Sequence, residues 1–125
     1  MAKFYKGNDG TIVGLLSGGE NGLSSGEVAL EELVAHDSSL EGKEKHVPLV
    51  HEEDGKVYVQ VGSTLHPMLP EHYIEWIYLL TDKGLQRRPL HPGQEPKAVF
   101  YIAPDEVVLS VEAYCNKHGL WKADL

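Results

Sequence analysis

The chain has 125 residues, 42% of them hydrophobic, with a formal net charge of −8 and a single cysteine. That composition is globular rather than disordered. The acidity argues against a nucleic-acid partner, and one cysteine cannot close an internal disulfide.

No apolar run approaches the roughly 20 residues of a membrane helix. The first residues, Met1-Ala2-Lys3-Phe4-Tyr5-Lys6, lack the apolar core of a signal peptide. The expected setting is therefore a reducing cytoplasm, with no membrane partner.

Residues 1–42 are rich in Gly, Ser and Glu, with Gly18-Gly19 and Ser24-Ser25-Gly26 as breakers. Phe4-Tyr5 and Thr11-Ile12-Val13 are spaced to pair as a hairpin around Gly7-Asn8-Asp9-Gly10. Ser24-x-x-Glu27 reads as a capping box. Val28, Leu30, Leu33 and Val34 would then form a short amphipathic helix. Asp37 to Gly42 reads as a linker. A first domain over 1–42 and a second over 43–125 are expected.

From Lys43 onward the pattern is β. Val47 to His51 is a short apolar run, and Glu52-Glu53-Asp54-Gly55 is a turn. Val57, Val59 and Val61 alternate with Lys56, Tyr58 and Gln60, the period of a half-buried strand. Tyr73 to Thr81 also fits a helical spacing, but its β-branched and aromatic content and the turn at Asp82-Lys83-Gly84 favour a strand. Leu85 to Leu90, Lys97 to Ile102, Glu106 to Tyr114 and Leu120 to Ala123 complete the set. Pro89 suggests an edge. About seven short strands with frequent turns predict an antiparallel β-sandwich.

The candidate chemistry lies on Cys115-Asn116-Lys117-His118. A thiolate and an imidazole three residues apart can hold one metal ion from a single turn. A lone cysteine is more often a small buried hydrophobe. The other histidines change the balance. His46 opens the first strand of the β region, while His66 and His72 bracket a loop stiffened by Pro67 and Pro70. Structural zinc is satisfied by four ligands, and four imidazoles with one thiolate exceed that. Iron takes five and keeps a sixth position open, with the thiolate donating electron density across it. By ligand counting, zinc, iron and no metal all remain open. His36, His51 and His91 read as surface or loop residues. Pro48, Trp76, Trp121 and Met68 read as packing.

Three motifs together resemble superoxide reductase, the desulfoferrodoxin and neelaredoxin family. They are Glu44-Lys45-His46-Val47-Pro48, then Gly62-Ser63-x-x-His66-Pro67-Met68-x-x-Glu71-His72-x-Ile74-x-Trp76, then Tyr114-Cys115-Asn116-x-His118-Gly119-x-Trp121. The resemblance covers about residues 43–123, in order and with compatible spacing. It implies an immunoglobulin-like seven-stranded sandwich carrying one mononuclear non-haem iron (Fe2+/Fe3+) per chain. The imidazoles of His46, His66, His72 and His118 would bind it in a plane, His118 through Nδ1 and the others through Nε2, and Cys115 would supply the axial sulfur. The implied activity is one-electron reduction of superoxide to hydrogen peroxide without release of oxygen.

Further roles follow from the same resemblance. Lys45 would attract superoxide and supply a hydrogen bond or a water-mediated proton to the product. Glu44 would take the sixth position once iron is ferric, where a hard carboxylate suits the harder ion. The N–H groups of Lys117 and His118 would bond the Cys115 sulfur and tune the potential. Two-iron relatives carry four cysteines in the first 40 residues. This chain has none there, so residues 1–42 resemble a degenerate desulforedoxin-like domain without metal. If that small β-fold is kept, the helix at Ser24 does not form. A homodimer is implied, with rubredoxin or another small redox protein as electron donor. The rival readings are a structural-metal sandwich acting as a binding module, a superoxide dismutase and an electron-transfer protein.

Overall fold

The structure is a computed structural model that describes residues 3–125. Met1 and Ala2, part of the stretch read for a signal peptide, lie outside the described residues. The chain divides into two compact units, Met1–Val34 and Ala35–Leu125.

The first unit is built from strand pairs. β1 (Lys3–Lys6) pairs with β2 (Ile12–Leu15) as the expected hairpin, with Tyr5 opposite Val13. Its turn is closed by Gly7 N–H to the Thr11 carbonyl at 2.9 Å. β3 (Ser24–Ser25) and β4 (Val28–Ala29) form a second hairpin, and β5 (Glu31–Glu32) adds to the other side of β1. The helix expected from Ser24 is therefore absent, and the short antiparallel pair of β3 and β4 stands in its place. Gly26 explains the difference: at φ 62° it carries the chain around a tight turn, which a helix would not permit. A helix of so few residues also has little stability of its own.

The second unit begins with a single helical turn, α1 (Lys43–His46). That corrects the expectation of β structure from Lys43 and of His46 as a strand residue. Gly42, at φ 91°, starts the turn, and its carbonyl accepts from both the Lys45 N–H and the His46 ring. Seven strands follow: β6 (Pro48–Glu53), β7 (Lys56–Val61), β8 (Ile74–Thr81), β9 (Leu85–Pro89), β10 (Lys97–Tyr101), β11 (Val108–Cys115) and β12 (Gly119–Asp124). They form two antiparallel sheets, ordered β10-β7-β6 and β12-β11-β8-β9. This is the seven-stranded sandwich the strand count predicted.

The inward faces make one core. Val57, Val59, Val61, Ala98 and Phe100 come from one sheet, and Ile77, Leu79, Val111 and Ala113 from the other. Each large side chain buried there stabilises by about 1.5–3 kcal/mol. Cys115 ends the same inward row of β11 and is fully buried. A register shift opposes Tyr114 to Trp76 and Cys115 to Ile74, so Glu75 is the extra residue of a bulge. The bulge turns Ile74 back to the core side next to Cys115.

Candidate metal centre

Three short segments deliver five donor side chains to one place. α1 carries His46, the loop between β7 and β8 carries His66 and His72, and the end of β11 with its following turn carries Cys115 and His118. The five donor atoms all lie within 4.8 Å of one another, placed to hold one metal ion.

The imidazoles close into a ring. Successive centroids stand 4.9 Å apart from His46 to His66, 4.7 Å from His66 to His72, 5.0 Å from His72 to His118 and 4.8 Å from His118 to His46. Every neighbouring pair is edge-on, with planes between 67° and 80° apart. Cys115 Sγ is 3.8 Å from His118 Nδ1, and His46 Nε2 is 3.1 Å from the same nitrogen.

The hydrogen bonds behind the rings decide which nitrogen faces in. His46 Nδ1 donates to the Gly42 carbonyl at 2.9 Å, and His66 Nδ1 to the Pro67 carbonyl at 2.7 Å. With the proton on Nδ1, the lone pair is on Nε2. His66 Nε2 and His72 Nε2 are buried without a hydrogen-bond partner among the described residues. A buried polar nitrogen without a partner is costly unless something binds it. The residues thus fit a metal in this ring.

Electrostatics point the same way. Burial holds His66 down to about 4, against the opposing bond to Pro67, so it is a neutral donor at physiological pH. Burial also lowers His46 and His72, with like charge from His118 adding to both. Burial raises the Cys115 thiol, while the N–H groups of His118 and Lys117 bond the sulfur and oppose that rise. A bound cation is what turns such a thiol into a thiolate.

Glu44 and Lys45 sit on α1 immediately before His46. Both are exposed, neither belongs to the group of five donors, and their charges act on His46 in opposite senses. Their backbone is fixed: the Glu44 carbonyl accepts from Thr64 N–H at 2.9 Å and from Ser63 Oγ at 3.1 Å. His51 and His91 are exposed, as expected. His36 is exposed but exchanges backbone bonds with Leu120 and Lys122 and lies 5.0 Å from the Trp121 ring. Met68 packs on the core. Trp121 does more than packing. It stacks on His46 at 4.6 Å, and its Nε1–H donates to the His118 carbonyl at 3.0 Å. Its position three residues after His118 was the available signal.

Known proteins agree with this geometry. The family model described as Desulfoferrodoxin matches residues 38–124. A desulfoferrodoxin homolog of Archaeoglobus fulgidus is 55% identical over 83 residues, 66% of this chain and 65% of that relative. The desulfoferrodoxin of Clostridium acetobutylicum is 41% identical over 125 residues, 100% of this chain and 97% of the relative. The crystal structure of the superoxide reductase from Treponema pallidum superposes with a TM-score of 0.84 at 29% identity, covering 99% of this chain and 98% of that one. With the matched model spanning the sandwich and the donor ring inside it, the chain belongs to the desulfoferrodoxin family.

Proposed function

We infer that this protein is a superoxide reductase, reducing superoxide by one electron, with two protons, to hydrogen peroxide at a mononuclear iron. The closed ring of four imidazoles beside the Cys115 thiol carries this reading. When bound, iron supplies the single electron that superoxide takes, and an external donor restores it.

His46, His66, His72 and His118 would hold the metal through ring nitrogens, and Cys115 would hold it as a thiolate. Burial supports the neutral state of His66, and the N–H groups of Lys117 and His118 temper the charge on sulfur. Lys45 draws the superoxide anion to the centre and delivers a hydrogen bond or a water-mediated proton to the product. A local cation is needed because the chain as a whole carries −8. Glu44 would offer the oxidised metal a further, carboxylate ligand. Its short turn, pinned by Ser63 and Thr64, keeps that carboxylate two residues from His46.

The first unit has no cysteine, so it serves folding or dimer contacts rather than a second iron. The donor is rubredoxin or another small redox protein, the assembly a homodimer, and the compartment the cytoplasm. Among the described residues no helix is long and apolar enough to cross a membrane.

Stoichiometry tests the reaction. Reduced, iron-loaded protein given superoxide should yield one peroxide per superoxide consumed and no oxygen. Oxygen release at one per two superoxide would identify a dismutase instead.

A further inference from the structure

The bonds around Asn116 place this residue between the two loops that carry the ligands. Its own N–H donates to the Tyr73 carbonyl at 3.2 Å. Its side-chain Oδ1 accepts from Tyr73 N–H at 3.0 Å, and its Nδ2 donates to the Glu71 carbonyl at 3.1 Å. One residue therefore grips the backbone on both sides of His72. The amide meets this demand with two separate atoms, its oxygen accepting from one partner and its nitrogen donating to the other.

His72 needs such support more than His46 and His66 do. The His46 and His66 rings are oriented by Nδ1–H bonds to Gly42 and Pro67. No corresponding carbonyl holds the His72 ring among the described residues. Its orientation rests on backbone: His72 and Leu69 exchange both of their N–H and carbonyl groups at 3.0 Å, and Asn116 holds residues 71 and 73. Asn116 directly follows Cys115 and is two residues before His118. The grip thus fixes the distance between His72 and the Cys115–His118 turn, across the 5.0 Å contact of the His72 and His118 rings.

We propose that Asn116 is a positioning residue that presets His72 against the Cys115–His118 turn, so that the donor ring is formed before metal arrives. The inference rests on the metal-site reading above, but not on the reaction with superoxide. Without the amide, the loop from His66 to His72 must be ordered by the metal itself, and that cost is taken from binding. Partners of this kind typically change metal affinity 10–100-fold.

The test is a cobalt(II) titration of metal-free full-length protein against a chelator of known affinity, read by the visible spectrum. Asn116→Ala should weaken cobalt binding about 10–100-fold. A double-mutant cycle with His72→Ala separates positioning from general destabilisation. In the His72→Ala background, the Asn116 substitution should cost less than twofold, because the ligand it presets is gone. An equal loss in both backgrounds, or no loss in the single variant, would overturn the proposal. Asn116→Ser, too short to reach both carbonyl and N–H, replaces Ala if that variant does not fold, with the same expected outcomes. If the parent protein takes up no cobalt, the metal-site reading itself fails, which is a distinct result.

Discussion

The Trp121 indole lies on the His46 imidazole with ring centroids 4.6 Å apart and planes 17° from parallel. The same indole holds the His118 carbonyl through Nε1–H. Two ligands brought together from opposite ends of the second unit thus share one aromatic support. Removing a buried Trp side chain costs about 3–5 kcal/mol. Trp121→Ala should lose that much in chemical denaturation, and Trp121→Phe only about 1–2 kcal/mol, since the ring stays and a hydrogen bond is lost. Equal losses would mean that the stack contributes little.

Gly62 decides whether α1 can close on the centre. It adopts φ +86°, and a Cβ there would collide with the Thr64 carbonyl oxygen and stand 2.7 Å from that of Lys45. Both partners are backbone and cannot swing away. Gly62→Ala should destabilise by at least about 2 kcal/mol, from the left-handed backbone and the clash together. Because the turn also holds Val47 through the Gly62 N–H, iron content should fall in the same variant. Full iron content with unchanged stability would contradict this packing.

Glu112 sets a pH dependence separate from the metal ligands. It is 5% exposed, and its Oε2 has no hydrogen-bond partner among the described residues. Burial pushes its carboxyl up to about 7; Lys122 opposes the shift and Asp124 adds to it. Between the ordinary value of 4.5 and about 7, the folded chain binds more protons here than the unfolded chain. Stability from this group is therefore complete below about 4.5 and is lost as pH rises through 7. The full effect is on the order of 3 kcal/mol. Glu112→Gln should flatten the fall in urea midpoint between pH 5 and pH 8. The same fall in both proteins would show that another group is responsible.

Lys45 should act on rate rather than on metal retention, because it is exposed and outside the donor ring. Lys45→Ala should slow capture of superoxide by the reduced protein roughly tenfold at low ionic strength. The difference should shrink as salt rises, since the screening length is about 10 Å at 0.1 M. Pulse radiolysis at two salt concentrations measures it. Equal rates at low salt would remove the steering role.

The parts of this fold legible in the sequence are those set by local period or rare chemistry. Val57, Val59 and Val61 alternate, and all three are buried. The five donors stood out because no other cysteine competes and because His46, His66 and His72 read as lying at the edges of strand-like runs. What escaped the sequence is set by contacts across the chain. The helical turn at Lys43–His46 depends on the Gly42 carbonyl catching the His46 ring. The false helix at Ser24 followed a capping pattern that Gly26 overrides by its positive φ. The bulge at Glu75 and the Asn116 grip on both neighbours of His72 arise from pairing between strands and loops far apart in sequence.

The most direct test of the centre is a visible spectrum with metal content on the same purified sample, taken reduced and oxidised, for the parent and for Cys115→Ser. The account predicts about one iron per chain, a thiolate-to-ferric absorption that appears on oxidation, and loss of that band and of superoxide reduction in Cys115→Ser. A parent protein that stays colourless after iron reconstitution, or a Cys115→Ser protein that keeps both colour and activity, would contradict it.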